Sequence, residues 1–286
     1  MPLTFDLIRN HPRLPRATRQ QAEAFLQVNK HQSRIASIFS NQQRWLMAHI
    51  GMALYFQNLN NPKQEGLSTA LFVKDVLHHN VTSRNTATAF LSEMLKYGII
   101  TRRPHPTDRR KQLMAPSDKA LEALMSWVLI HLATLDSIDA GSRQIRFHTA
   151  PARTSRLQPL IASALLQHDR IRNPSAPFAH FMWMNCGFLI TERLMTSLRE
   201  LDSGGRYVTS LTSVAEMTSD LTLSRSHSAR KIAEAEEMGI LGWCGTKGRS
   251  PIWVSSAFVQ TFLDLQAVKL AIIDEAFDAA FPAPAA

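Results

Sequence analysis

The chain has 286 residues, about twice the commonest domain length, which predicts two domains. Its 32 Lys and Arg residues outnumber 23 Asp and Glu residues, for a formal charge of +9, and two cysteines are too few for a disulfide framework or a cysteine-rich zinc site. The longest apolar stretch, 178–190, is too short to span a bilayer, and the N-terminus lacks a signal-peptide pattern. We therefore expect a folded cytoplasmic protein that is neither secreted nor embedded in a membrane.

Positive charge is concentrated in the first half of the chain. Residues 1–143 carry a formal charge of +8, whereas residues 144–286 carry +1. An uneven excess of Lys and Arg indicates a polyanionic partner, although charge by itself determines association and not fold.

The sequence contains a divergent internal repeat with an offset of about 140 residues. Segments that match in the same order are 8–11 with 145–148, 24–27 with 164–167, 83–84 with 224–225, Glu93 with Glu234, and 98–100 with 239–241. Several matches in one order indicate a duplicated unit, and the alternative is chance similarity between two helical domains. The repeat predicts a first unit over residues 1–138 and a second over residues 139–286.

The first unit shows a clear order of elements. The predicted elements are a long helix at 35–59, a short helix at 67–79, a turn at 80–82, a helix from Ser83 to Tyr97, strands at 99–103 and 112–115 around a basic loop, and a helix at 118–135. On the helix after the turn, residues at i, i+3, i+4, i+7 and i+8 predict a buried stripe: Ala87, Phe90, Leu91, Met94 and Leu95. Gly98 is expected to end this helix, because glycine adopts the left-handed conformation at least cost.

The second unit repeats this order. Its predicted elements are a long helix at 178–201, a short helix at 213–220, a turn at 221–223, a helix at 224–238, strands at 240–244 and 252–254 around a shorter loop, and a helix from Ala257 onward. Helix, turn, helix, strand, loop and strand is the order of a winged helix-turn-helix. Prolines near the start of each unit predict an extended arm leading into its first helix, which could pack against the other unit or touch phosphates: Pro12, Pro15, Pro151 and Pro159.

Two stretches resemble MarR-type bacterial transcriptional regulators. Residues 108–124 (DRRKQLMAPSDKALEAL) are similar to the wing and following helix of that family, and residues 223–241 contain segments similar to its recognition helix. The resemblance implies two family-like units fused in one chain. The fold would be mainly α with small β-wings, and the two winged helix-turn-helix units would form a tandem pseudo-two-fold arrangement with long helices at the inter-unit interface. A monomer would then act as a pseudo-dimer, and a homodimer is the alternative.

The chain departs from the family pattern in both units. Pro116 and Ala120 stand where the family has Leu and Gly, and the second wing lacks the Asp-x-Arg pattern that begins at Asp108. We therefore expect the two units to contact DNA unequally, with the first unit dominating the affinity for phosphate.

Candidate base-reading residues lie on the helix after each turn, off its buried stripe. Those of the first unit are Ser83, Arg84, Asn85 and Thr88, and those of the second are Ser224, Arg225, Ser226, His227 and Arg230. Arg pairs with guanine and Asn with adenine in the major groove, where the N-terminal residues of a recognition helix face base edges. The alternative is a solvated helix face, since these are ordinary surface residues.

Basic residues in each predicted wing indicate phosphate and minor-groove contacts. In the first unit they are Arg102, Arg103, Arg109, Arg110 and Lys111, and in the second they are Lys247 and Arg249. A solvated run of charges is the alternative interpretation.

Large apolar residues on the long helices predict a core or an interface between the units. The same residues would line an effector cavity in a MarR-type protein: Trp45, Tyr55, Phe56, Phe181 and Trp183. Both interpretations are open, and the sequence identifies no small-molecule effector.

The sequence contains no pattern typical of an active site, a metal site or a phosphate-binding loop, so we expect no enzyme, no cofactor and no metal. It favours a cytoplasmic, sequence-specific transcriptional regulator that binds double-stranded DNA and has no membrane partner. A plasmid- or phage-type replication initiator with tandem winged helices is the main alternative, and a protein-interaction module is a third.

Overall fold

The computed structural model describes residues 1–31, 39–105, 112–221 and 223–282. Over these residues the chain is mainly helical and has two small antiparallel sheets, which confirms the predicted mainly α composition with small β elements.

The helices are α1 Phe5–Arg9, α2 Leu14–His31, α3 Gln42–Asn60, α4 Thr69–His78, α5 Arg84–Lys96, α6 Asp118–Asp139, α7 Arg143–Thr149, α8 Thr154–Gln167, α9 Asp169–Arg172, α10 Ala176–Met182, α11 Gly187–Ser197, α12 Val214–Met217, α13 Arg225–Glu237 and α14 Ser256–Ala280. The strands are β1 Ile100–Pro104, β2 Gln112–Pro116, β3 Leu198–Leu201, β4 Arg206–Thr209, β5 Leu241–Trp243 and β6 Ile252–Ser255. We call residues 69–116 the first lobe and residues 214–255 the second lobe.

The chain divides into two compact units whose boundaries differ from the contiguous halves of the repeat. One unit contains residues 1–4, 43–168 and 269–286, and the other contains residues 5–42 and 169–268. Compactness depends on which apolar faces pack together, whereas a repeat records only where similar sequence recurs. Residues 5–42 therefore lie in a different compact unit from the rest of 1–138, and residues 139–168 and 269–286 lie in a different compact unit from the rest of 139–286.

Serine side chains cap the two helices of the first lobe and the helix that follows it. The Oγ atoms of Ser68, Ser83 and Ser117 accept hydrogen bonds from the backbone N–H groups three residues later, at the starts of α4, α5 and α6. The predicted stripe of α5 is buried, except that Leu95 is half-buried. Gly98 has a φ of 64°, so this position ends α5 as predicted.

The two lobes repeat the same backbone hydrogen bonds. In the first lobe the N–H of Ile99 donates to the carbonyl of Met94 at 2.9 Å, and the N–H of Ser117 donates to the carbonyl of Ile99 at 2.9 Å. In the second lobe the N–H of Ile240 donates to the carbonyl of Ala235 at 3.0 Å, and the N–H of Ser255 donates to the carbonyl of Ile240 at 2.9 Å. Met114 N–H donates to Leu67 at 2.7 Å, and Ile252 N–H donates to Leu211 at 2.7 Å. In both lobes these bonds attach the strands to the helix pair.

The lobes differ in their strands and in their first helix. In the first lobe β1 pairs with β2 alone, whereas the second belongs to a four-stranded sheet of order β3-β4-β6-β5. Helix α4 has 10 residues and its counterpart α12 has 4. The predicted short helix at 213–220 was therefore too long.

The prediction of one long helix over residues 178–201 is wrong. Helix α10 ends at Met182, Cys186 has a left-handed φ of 57°, and α11 ends at Ser197, after which residues 198–201 form strand β3. A Cβ on Gly187 would lie 1.6 Å from the carbonyl oxygen of Phe181, so the backbone turns closely at this point. The apolar pattern did not reveal this turn because both of its sides are buried.

The extended arms predicted around the prolines are also wrong. Pro15 lies in the first turn of α2 and Pro159 lies inside α8, and both positions are helical. A proline in the first turn of a helix lacks only an N–H group that has no intrahelical partner. The side chain of Arg9 binds Asp264 and Gln260, so this part of the proposed arm is folded against α14.

Helices α6 and α14 are long and apolar enough to cross a membrane by length and composition alone. Polar residues interrupt the apolar sequence of both helices, so neither forms a long continuous apolar run. Val128, Leu132 and Leu135 of α6 are fully buried within its unit, and core helices meet the same criterion, so this indication is weak.

Candidate nucleic-acid interface

Helix α5 presents a polar face opposite its buried stripe. Ser83, Arg84, Asn85 and Thr88 are all exposed, as the sequence predicted. The hydroxyl of Thr88 donates to the carbonyl of Arg84 at 3.0 Å, and this leaves its oxygen lone pairs open to solvent. The start of the helix therefore offers a guanidinium, an amide and hydroxyls to a partner.

The guanidinium of Arg84 has no ion-pair partner among the described residues, because no carboxylate oxygen of that part of the chain lies within 4.0 Å of it. Asn85 is likewise exposed at the first turn of α5. Guanidinium and amide groups are the side-chain types that can pair bidentately with guanine and adenine edges.

A bidentate ion pair holds α5 on α3. The guanidinium of Arg44 donates to the two carboxylate oxygens of Glu93 at 3.0 and 2.8 Å, and it lies 5.3 Å from the ring centre of Phe90. Paired Arg and carboxylate groups of this kind are directional, so they orient the helix as well as neutralising the charge. Glu93 is thus turned towards α3 and is satisfied there.

The β1–β2 hairpin carries the described wing cations. Arg102 pairs across the strands with Met114, and its guanidinium donates to Gln112 Oε1 at 3.0 Å. Arg103 is exposed, and neither arginine has a carboxylate within ion-pair distance in the described ranges. The other predicted wing cations, Arg109, Arg110 and Lys111, lie outside the described residues.

Helix α13 begins in the same way as α5. Ser224 Oγ accepts from the N–H of His227 at 3.3 Å, and Ser224, Arg225, Ser226 and Arg230 are exposed. His227, also a candidate base-reading residue, is only partly exposed, and its Nε2 atom is buried with no hydrogen-bond partner among the described residues.

Glu234 on α13 lies close to three basic side chains. Lys231 Nζ lies 2.6 Å from Glu234, and the guanidinium of Arg230 lies 3.9 Å from it. His180 Nδ1 of α10 lies 3.8 Å from the same carboxylate, while its Nε2 bonds the Lys231 carbonyl at 2.8 Å. The hydrogen bond from Lys231 lowers the pKa of Glu234.

In the β5–β6 loop, the predicted second wing, one cation is paired with α13. Lys247 Nζ forms an ion pair with Glu236 and lies 4.9 Å from the ring centre of Trp243. Arg249 is exposed at the tip of the same loop, and no ion pair of its side chain occurs within the described ranges. The two predicted wing cations of this lobe therefore have different surroundings.

The predicted cavity residues are distributed over both compact units. In one unit Trp45 and Phe56 are buried and Tyr55 is partly exposed; in the other Phe181 is fully buried and Trp183 is 47% exposed. Trp45 packs on His49 at 4.8 Å and Phe181 on Phe258 at 5.4 Å, so both have ordinary core neighbours. That these residues line an effector cavity stays a prediction.

Sequence reasoning missed a buried polar cluster in the unit of the first lobe. His49 Nδ1 bonds the amide of Gln158 at 2.9 Å, and its ring packs on Trp127 at 5.0 Å. Burial, together with the charge of Lys269, lowers the pKa of His49 to about 3. The same causes lower the pKa of His131. These residues come from four separate helices, so no local pattern in the sequence brings them together.

A buried charged cluster in the same unit was also missed. Arg143, which is 8% exposed, donates to Asp274 at 2.6 Å and to Asp139 at 2.8 Å, and its guanidinium lies 3.3 Å from Asp136. Burial opposes ionisation of both Arg143 and Asp139, but the hydrogen bonds between them outweigh it, raising the pKa of Arg143 and lowering that of Asp139. Asp274 follows Arg143 by 131 residues, so only folding makes them partners.

Among residues 1–31, 39–105, 112–221 and 223–282, no three His, Cys, Asp or Glu side chains are arranged to hold a metal ion. Comparison of the chain with protein-family models, with characterised proteins and with solved structures finds no match.

Proposed function

We propose that this chain is a cytoplasmic transcriptional regulator that binds duplex DNA through two winged helix-turn-helix units of MarR-like type. The order of helix, helix, strand and strand in each lobe supports this proposal, as do the backbone hydrogen bonds that both lobes share. In the proposal, α5 and α13 are recognition helices and the hairpin loops are wings.

One observation carries the proposal. Arg84 and Asn85 are exposed at the start of α5, and Arg102 and Arg103 are exposed on the following strand β1. None of the three arginines forms an ion pair with a described carboxylate. Cations without carboxylate partners lose little when phosphate replaces water. Arg84 and Asn85 would read guanine and adenine in the major groove. Arg102 and Arg103 would contact phosphates and set the register of the protein on the duplex.

The tandem units would let one chain act as a pseudo-dimer. Their recognition helices carry different residues, Asn85 and Thr86 in one against Ser226 and His227 in the other, so an asymmetric site is expected. A homodimer of the chain would present four such helices and would change that expectation. A small-molecule effector is part of the proposal only by the resemblance to MarR-type regulators.

Selection of duplexes from a random pool with the purified chain tests the proposal. We expect an enriched sequence without two-fold symmetry, and a footprint that includes at least one guanine protected by Arg84. A pool that shows no enrichment, at a salt concentration low enough to keep electrostatic binding, would contradict sequence-specific recognition. Enrichment that survives Arg84→Ala unchanged would contradict the assignment of α5.

A further inference from the structure

The second lobe differs from the first in how its cations are used, and the difference follows from acidic residues on α13. Helix α5 has one glutamate, Glu93, which is bound by Arg44 of α3. Helix α13 has three, of which Glu234 and Glu236 bind cations of the second lobe itself. We call Glu234 and Glu236 the acidic pair.

The positions of the acidic pair explain which cations they bind. Glu234 corresponds to Glu93 in the repeat, and each binds a basic side chain of the preceding helical segment, His180 and Arg44 respectively. Glu234 differs in binding Lys231 and Arg230 of its own helix as well. These two cations would otherwise be available on the helix surface.

Glu236 acts on the wing. Lys247 lies in the loop between β5 and β6, where a winged helix would present a cation to phosphate, but here it forms an ion pair with Glu236 and packs on Trp243. A cation held by both a carboxylate and an aromatic face has two interactions to give up before it can bind phosphate.

A fourth cation beside the second lobe is held in a similar way. Arg206 of β4 lies 2.9 Å from Asp202 and 5.2 Å from the ring centre of Trp253. In the described part of this lobe, only Arg225 and Arg249 are exposed cations without a carboxylate within ion-pair distance. The near-neutral charge of the second half of the sequence is thus reflected in side-chain pairing.

We infer that the acidic pair weakens the contact of the second lobe with DNA phosphates, so that the first lobe supplies most of the affinity of the chain for a duplex. The inference rests on the proposed function and specifies its partner as a duplex that the two lobes contact unequally. Arg230, Lys231 and Lys247 are intramolecularly neutralised, and phosphate must compete with Glu234 and Glu236 for them.

The test is a salt titration of binding to a fluorescent mixed-sequence duplex of about 30 base pairs, long enough for both lobes. Replacing the acidic pair, Glu234→Gln with Glu236→Gln, should release up to three cations. The plot of log affinity against log salt should then steepen by about 2, with roughly a tenfold gain in affinity at low salt. Glu237→Gln is the matched control, because Glu237 is exposed on the same helix and has no described ion-pair partner.

Three outcomes decide the inference. A steeper slope for the double variant only, reduced by about 0.9 when Lys247→Ala is added, supports it. An equal gain from Glu237→Gln would show that overall charge and not pairing matters, and an unchanged slope would show that these cations do not reach DNA; either result overturns it. If the unmodified chain does not bind the duplex at all, the proposed function itself fails, which is distinguishable from both. Far-UV circular dichroism confirms that each variant is folded.

Discussion

The two lobes share a backbone framework and differ in the pairing of their charges. In both, a serine caps the second helix, a glycine with positive φ ends it, and the next isoleucine returns a hydrogen bond to the helix. In the first lobe Arg84, Arg102 and Arg103 have no described carboxylate partner, whereas in the second Arg230, Lys231 and Lys247 have one each. The comparison shows that two lobes with the same backbone framework can differ in their electrostatic surfaces through a few side chains.

The largest expected effect is the loss of the buried charged cluster in the unit of the first lobe. Arg143→Ala leaves Asp274, which is 2% exposed, without its guanidinium, and breaking a buried pair costs about 3–5 kcal/mol. Denaturant unfolding should show this loss, and DNA binding should disappear at a lower denaturant concentration if the first lobe carries it. Arg156→Ala, an exposed change in the same unit, is the control and should stay within about 0.5 kcal/mol. Unchanged stability of Arg143→Ala would contradict the cluster.

Stability should also depend on pH through His49. Its pKa is about 3 in the folded chain against an ordinary value of 6.5, so the unfolded chain binds more protons between these values. The free energy of unfolding should therefore fall as pH decreases below 6.5, by about 1.4 kcal/mol per pH unit for this residue. Denaturant titrations at several pH values measure the slope, which His49→Gln should reduce, while the contribution of His131 in the same cluster remains. His148→Gln, at an exposed histidine, should retain it.

Base recognition should differ between the lobes. Arg84→Ala is expected to cost about 1–3 kcal/mol of binding free energy and to relax specificity at one base position. Arg225→Ala, at the corresponding place on α13, should cost less because its lobe contributes less to binding. Titrations on the selected duplex and on its single-base variants measure both effects. Equal losses for the two variants would remove the proposed inequality of the lobes.

The wing arginines should determine the salt dependence. Arg102→Ala with Arg103→Ala should reduce the slope of log affinity against log salt by about 2, since each phosphate contact contributes about 0.9. Fluorescence titrations over a range of salt concentrations measure this slope. Arg156→Ala removes one charge elsewhere in the unit and should leave the slope unchanged. A slope that does not respond to the double substitution would refute the wing.

The smallest effect should be equal in the two lobes. Gly98 and Gly239 have φ values of 64° and 68°, and a Cβ added at either would meet no atom within 4 Å. Replacement by Ala therefore costs only backbone strain, about 1 kcal/mol in each lobe. Thermal or denaturant unfolding should show similar losses, and a large difference would contradict the shared framework.

Local signals in the sequence determined the framework of the lobes. The serine caps, the apolar stripe of α5 and the glycine after it are set by neighbours within a few residues, so their structure could be predicted correctly. The exposure of Arg84 and Asn85 followed from the same stripe, because residues off the stripe face solvent.

Tertiary structure decided everything that depends on distant residues. No short-range pattern in the sequence indicates the turn at Gly187 or the addition of β3 and β4 to the second sheet. The same is true of the assignment of residues 5–42 and 269–286 to their compact units. The ion pairs of Lys247 with Glu236 and of Arg143 with Asp274 also could not be predicted, because the sequence does not show which opposite charge a charged residue will contact. Helix caps and periodicity act over one or two turns, whereas the packing of apolar faces and the pairing of charges are selected by the free energy of the whole fold.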